Sequence, residues 1–153
     1  MALLEKQLAV KRSTIPGAGK GLFTKKFIPK GAYIVEYKGE ISTWKDVKHN
    51  NGKNGYIYYV NRYHVIDARP FKNAVARYAN DARGIVRVKG ISNNSRYVKD
   101  GLRVFIQAFK DIPAGAEILV GYGKEYWDTI RYNNKLSKHK KDSRFSTNDY
   151  LTG

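Results

Sequence analysis

Apolar and polar positions alternate along this chain in short runs, and short runs predict strands more than helices. Leu8–Arg12 alternates and leads into a turn region, Ser13–Gly21, that carries Pro16, Gly17, Gly19 and Gly21. Gly21–Thr24 reads as a short strand, Pro29-Lys30-Gly31 as a turn, and Tyr33–Tyr37 as a strand rich in β-branched and aromatic residues. Thr43–Lys48 fits a helical turn, and residues 50–55 fit a loop. Tyr56–Val60 and His64–Asp67 predict a hairpin across Asn61-Arg62-Tyr63. Lys72–Tyr78 is the best internal helix candidate, about two turns long. Ile85–Val88, Arg96–Val98, Leu102–Phe109 and Glu117–Val120 read as further strands, with Asp100-Gly101 and Asp111–Gly115 as turns. Lys124–Asn134 is aromatic and helix-compatible, whereas Lys135–Gly153 is polar and basic. The pattern predicts one mainly β domain over residues 1–134 and a basic tail over 135–153, with no internal repeat.

Composition narrows the chemistry. A chain of 153 residues fits one domain that buries roughly two-thirds of its unfolded surface. There is no cysteine, which excludes disulfides and thiolate metal sites. His49, His64 and His139 show no ligand spacing, so no metal is expected. The first residues carry an early glutamate and no long apolar core, unlike a signal peptide. No apolar run approaches the roughly 20 residues of a membrane helix, and an intracellular protein is expected. Lys and Arg total 29 against 13 Asp and Glu, a net charge of +16. Such a field favours polyanions, nucleic acid or nucleoprotein among them, although charge carries no sequence information.

Three groups of residues point to chemistry, each with a plainer alternative. Gly19-Lys20-Gly21 sets two glycines before an apolar strand, so its backbone can approach a ligand closely or simply turn. Asn80 follows a helix candidate, where an asparagine caps the helix or offers an amide donor and acceptor to a ligand. Tyr122 stands between Gly121 and Gly123 at a strand end, where it fills the core or presents its ring in a cleft.

The order of the motifs changes the weight of each. Gly19-Lys20-Gly21-Leu22-Phe23, Glu36-Tyr37-Lys38-Gly39-Glu40, Tyr56-Ile57-Tyr58-Tyr59-Val60, Val65-Ile66-Asp67-Ala68, Ala76-Arg77-Tyr78-Ala79-Asn80, Asn94-Ser95-Arg96-Tyr97 and the segment from Glu117 to Tyr122-Gly123 follow one another in turn. In this order and spacing the chain resembles the SET-domain protein lysine methyltransferases over roughly Leu8–Trp127. It looks like a minimal, SET-only member, similar to the small viral histone methyltransferases. The resemblance implies small curled β-sheets, few short helices and a knot-like C-terminal threading.

The resemblance also implies S-adenosylmethionine as cofactor and a protein lysine as methyl acceptor. On it, Gly19, Lys20 and Gly21 contact the methionine part of the cofactor and Asn80 holds it from the other side. Arg77 and Tyr78 of the same motif, and Trp127, complete the cofactor set. Tyr122 is the active-site tyrosine, assisted by Tyr56, and Tyr56, Tyr58, Val120 and Tyr126 line the lysine channel. A protein substrate, contact with nucleic acid or nucleoprotein through the basic surface, no membrane association and an optional homodimer follow, with a nuclear or nucleoid location if chromatin is the target. The chain departs from the family pattern where Asn80-Asp81-Ala82 stands for the usual Asn-His and small hydroxyl residue. Val120, two positions before Tyr122, is smaller than the usual Phe or Tyr and predicts a pocket roomy enough for di- or trimethyl-lysine. Residues 83–93 are basic and longer than expected. The competing reading is a catalytically degenerate SET-like module that binds chromatin or nucleic acid.

Overall fold

The computed structural model describes residues 3–47, 56–84 and 87–122. Nine strands form three small three-stranded sheets, all antiparallel in their pairings. The first sheet joins β1 (Leu8–Arg12), β2 (Lys20–Thr24) and β9 (Glu117–Ile118) in the order β1-β2-β9. β1 and β2 pair in register from Leu8↔Thr24 to Arg12↔Lys20, so the glycine-rich segment between them is the loop of a long hairpin. β9 adds to β2 through Leu22↔Ile118 and Phe23↔Glu117, bringing a residue from far along the chain against that hairpin.

The second sheet has the order β3-β8-β7, from β3 (Tyr33–Glu36), β7 (Ser95–Asp100) and β8 (Arg103–Ala108). β7 and β8 meet at Asp100↔Arg103 across Gly101-Leu102, with Gly101 at φ +63°. That backbone conformation is open to glycine and strained for most other residues. Val104, Phe105 and Ile106 are all buried, as expected of a central strand covered on both faces. The third sheet, β4-β6-β5, is built from β4 (Glu40–Ser42), β5 (Ile57–Asn61) and β6 (His64–Asp67). Its hairpin closes at Asn61↔His64, and Asn61 Oδ1 accepts from the Tyr63 amide at 2.8 Å. One apolar core, including Leu22, Ile28, Ile34, Ile66, Ile106, Ile112, Ile118 and Val120, joins the sheets.

Helix is sparse. Trp44–Val47 forms the short helix α1, and Glu5–Gln7 and Val75–Tyr78 form single 3₁₀ turns. The two-turn helix expected over Lys72–Tyr78 is not formed. Amide bonds Phe71→Ala68, Ala74→Phe71, Arg77→Ala74 and Ala79→Ala76 each span three residues, so the segment is a succession of tight turns. Arg87–Val88 is not strand, contrary to the reading of Ile85–Val88, whose first two residues lie outside the described residues. β4, which the sequence reading missed, pairs with β6 through Glu40↔Asp67 and Ser42↔Val65. The helix-compatible Lys124–Asn134 and the tail 135–153 also lie outside the described residues.

After β9 the chain continues into Leu119 and Val120, which form two isolated parallel bridges, Asn80↔Leu119 and Ser95↔Val120. The Val120 amide donates to Asn80 O at 2.8 Å, and the Asn94 and Ser95 amides both donate to Leu119 O at 3.0 Å. The C-terminal segment is thus bonded to two distant parts of the chain at once, in keeping with the threading expected of the fold.

Candidate active site

The site begins at the hairpin loop. The Ser13 amide donates to Gly19 O at 2.8 Å and closes the loop that carries Gly19-Lys20-Gly21. Gly19 has φ +73°, and a Cβ added there would meet nothing within 4 Å, so bare backbone faces open space. Gly21 is buried, and a Cβ there would collide with the Glu117 carboxylate. Glu117 itself is buried and collects donors from the loop. Ser13 Oγ donates to Oε2 at 2.7 Å, and the Thr14 amide and hydroxyl donate to Oε1 at 2.9 and 2.6 Å. A buried carboxylate needs such donors to replace its lost hydration. Glu117 therefore holds the glycine turn against the strand that leads to Tyr122.

Asn80 joins the same cluster. Its Nδ2 donates to Lys20 O at 3.0 Å and approaches Glu117 Oε2 at 3.5 Å. The amide thus fastens the glycine turn to the Val75–Asn80 segment and does not cap a helix; Ala79 occupies the C-cap position of the 3₁₀ turn. Tyr122 arrives from the other side. Its hydroxyl donates to Ala79 O at 2.5 Å, and its amide donates to Asp81 Oδ2 at 2.8 Å. Tyr122 and the Gly19–Gly21 turn, far apart in sequence, are therefore joined through the adjacent residues Ala79 and Asn80.

An aromatic wall extends from Tyr122. Its ring lies 6.4 Å from the Tyr97 ring in a stacked arrangement. Tyr97 in turn meets Tyr58 edge-on at 5.1 Å and Tyr37 edge-on at 5.8 Å. Burial pushes the Tyr58 phenol pKa above its ordinary value, because the phenolate would lose hydration. The Tyr37 hydroxyl donates to Tyr56 O at 2.7 Å, which ties this wall to the start of β5.

The expected site residues that are described each have a definite place. Gly19, Lys20, Gly21, Asn80 and Tyr122 converge as described. Tyr58 belongs to the aromatic wall, and Val120 is fully buried beside it in the core cluster that Tyr58 and Tyr122 flank. Tyr56 stacks under the Arg77 guanidinium, 4.1 Å from its ring centre. Arg77 Nη1 donates to Ala68 O and Arg69 O at 2.9 and 2.7 Å, so its guanidinium braces the turn after β6. The Tyr78 hydroxyl donates to Lys72 O at 3.2 Å. Arg77 and Tyr78 are thus engaged with neighbouring backbone. Tyr126 and Trp127 lie outside the described residues. Sequence reasoning missed Tyr37 and Tyr97 as wall residues and the roles of Glu117, Asp81 and Asn93 as buried hydrogen-bonding hubs. Tyr37, Tyr97 and Glu117 sat within recognised motifs, whereas Asp81 read only as a departure. Among the described residues no cluster of His, Asp and Glu could hold a metal ion, and no helix is long and apolar enough to cross a membrane.

The SET-domain family model matches residues 19–123, from the glycine turn through the glycine after Tyr122. The chain belongs to the SET-domain family. The "Histone-lysine N-methyltransferase set-17" of Caenorhabditis elegans is 25% identical over 139 residues, covering 88% of this chain and 47% of that protein. The "Histone-lysine N-methyltransferase EZH2" of Chaetomium thermophilum is 28% identical over 133 residues, covering 79% of this chain and 8% of its own length. This SET-domain chain thus spans about half of one curated relative and a small part of the other. Among solved structures, the "Methyltransferase domain of human PR domain-containing protein 2" superposes with a TM-score of 0.56 at 26% identity, covering 76% of this chain and 77% of that one. Its likeness agrees with the mostly β architecture of small sheets described above.

Proposed function

We propose that this chain transfers a methyl group from S-adenosylmethionine to a lysine side chain of a protein. The observation that carries the proposal is that Tyr122 and the Gly19–Gly21 turn are fastened to adjacent residues, the Tyr122 hydroxyl to Ala79 O and Lys20 O to the Asn80 amide. The residues fit the cofactor. Gly19 offers exposed backbone beside open space, which permits close approach, and the adjoining Ala79 carbonyl and Glu117 carboxylate favour a cation. Gly19, Lys20, Gly21 and Asn80 would hold its methionine part, with Arg77 and Tyr78 bracing the segment behind Asn80. When bound, S-adenosylmethionine supplies an electrophilic methyl and a positive charge that opposes protonation of a nearby amine.

The remaining work falls to the protein. A free lysine has a pKa of about 10.4 and no lone pair at neutral pH. The Tyr58–Tyr97–Tyr122 wall desolvates the ammonium and lowers that pKa. With its own proton directed at Ala79 O, the Tyr122 oxygen acts as an acceptor that orients the amine and stabilises positive charge in the transition state. Holding the amine in a fixed position against the bound cofactor would supply much of the acceleration. Tyr56 assists at the channel wall. Valine at position 120, smaller than Phe or Tyr, supports di- or trimethyl-lysine as product; mass spectra with monomethyl-lysine alone would contradict this.

The substrate we favour is a histone or another nucleic-acid-associated protein, encountered as nucleoprotein and placing the enzyme with chromatin. Lys6, Lys11, Arg12, Lys20, Lys25 and Lys26 are exposed along the β1–β2 hairpin, and none forms a salt bridge to a described residue. A free basic tail would be repelled by this face, whereas a DNA-bound one would be drawn in. Calorimetry with S-adenosylmethionine tests the activity first: micromolar binding is expected, and no binding would favour a non-catalytic module. Labelled cofactor in host lysate then identifies the acceptor, and a gel shift that weakens with salt tests the basic face.

A further inference from the structure

We propose that Asp81 is a positioning residue that sets Tyr122 through its backbone amide. The proposal rests on Tyr122 being the residue that acts on the methyl acceptor. Asp81 opens a tight turn: the Gly84 amide donates to Asp81 O, and Arg83 N donates to Asp81 Oδ1 at 2.8 Å. A turn of this kind is a common use of aspartate and needs only one carboxylate oxygen, commonly at the surface. Here the side chain is buried, 6% exposed, and both oxygens are engaged. Oδ1 also accepts from Asn93 Nδ2 at 2.8 Å, and Oδ2 is aimed at the Tyr122 amide, 41 residues away, at 2.8 Å. Asn93 returns the bond, since its Oδ1 accepts from the Ala82 amide at 2.8 Å. The Asp81–Asn93 pair therefore clamps both ends of residues 82–92 to the segment that carries the active-site tyrosine.

Three consecutive residues share this task. Ala79 O takes the Tyr122 hydroxyl, Asn80 O takes the Val120 amide, and Asp81 Oδ2 takes the Tyr122 amide. The first two acceptors are backbone and are supplied by any sequence. The third is a side chain with two acceptor oxygens that receive three N–H donors. A neutral imidazole offers one acceptor nitrogen and cannot replace it. Loss of the amide bond lets the Tyr122 backbone shift, and small displacements of a reacting group are heavily penalised in rate.

The test uses Asp81→Asn in the full chain. This variant keeps the size and turn preference of the side chain but turns an NH₂ group toward one of the three donors. Methyl transfer should fall about 10- to 100-fold in kcat, while cofactor affinity by calorimetry changes little. In protein labelled with 3-fluorotyrosine, the Tyr122 resonance, assigned by its loss in Tyr122→Phe, should shift or broaden while tyrosines outside the wall stay in place. Wild-type kcat with an unmoved Tyr122 resonance would overturn the proposal. If the wild-type chain proves not to methylate lysine, the resonance alone decides, which separates this inference from the proposed function. If Asp81→Asn does not fold, Asn93→Ala takes its place: it removes one donor to Asp81 and should move the same resonance, and an unmoved resonance would contradict the clamp.

Discussion

The β3-β8-β7 sheet and the junction where residues 79–82, 93–95 and 117–122 meet are built in opposite ways. In the sheet, the long β7–β8 ladder runs unbroken over six residue pairs, and the interior is Ile34, Val35, Val104, Phe105 and Ile106. In the junction, regular pairing dwindles to two isolated bridges, and the buried side chains include Asp81, Asn93, Ser95 and Glu117. The sheet is stabilised by area removed from water, which is insensitive to direction. The junction is stabilised by hydrogen bonds of fixed length and angle, which are sensitive to it. The difference teaches that the fold separates bulk stability from the placement of its reacting groups.

Substitutions in the two regions should therefore fail differently. Phe105→Ala should have the largest effect on stability, about 3–5 kcal/mol by urea unfolding, because it empties a fully buried site. Cofactor affinity of the molecules that remain folded should be unchanged; a parallel loss of affinity would erase the distinction between the regions. Glu117→Ala should cost about 3 kcal/mol by leaving the Ser13 and Thr14 donors without their acceptor. It should also weaken cofactor binding at least about tenfold by calorimetry, since the Gly19–Gly21 turn loses its support. Tyr37→Phe, which removes one bond from the aromatic wall to Tyr56 O, should cost about 1 kcal/mol in the same unfolding experiment.

The smallest effect is expected at the sheet surface. The Arg103 guanidinium donates to Glu36 at 2.8 and 3.2 Å and holds the Glu36 carboxyl below the usual carboxylate range. A lowered carboxylate pKa contributes stability above the unfolded value, and that contribution is lost as pH falls through the folded value. Glu36→Gln should thus lower the thermal midpoint slightly at pH 7, and the gap from wild type should close below about pH 4. A gap that widened on acidification would reverse the sign of this account.

The same contrast explains what could be read from the chain. Tyr33–Glu36, His64–Asp67 and the Asp100-Gly101 turn were readable because β-branched runs and glycine act locally. β4 was not, because Ile41 is exposed and the three-residue strand shows no apolar alternation. The expected helix over Lys72–Tyr78 failed because successive three-residue turns organise that segment, with Arg77 bonded back to Ala68 and Arg69. At the site, Gly19–Gly21, Asn80 and Tyr122 could be singled out by their motifs. Their supports could not, since Ser13 and Glu117 are 104 residues apart and Asp81 and Tyr122 are 41 apart. Gly21 illustrates the point: its small size suits a turn, yet the structure also requires it because the Glu117 carboxylate occupies the space of a side chain.

A crystal structure of the protein with S-adenosylhomocysteine tests the central claim most directly. The account predicts the sulfur facing the Tyr122 hydroxyl, with the Gly19–Gly21 backbone and Asn80 along the amino-acid part of the ligand. A ligand bound elsewhere, with the Tyr122 hydroxyl remote from the sulfur, would contradict it.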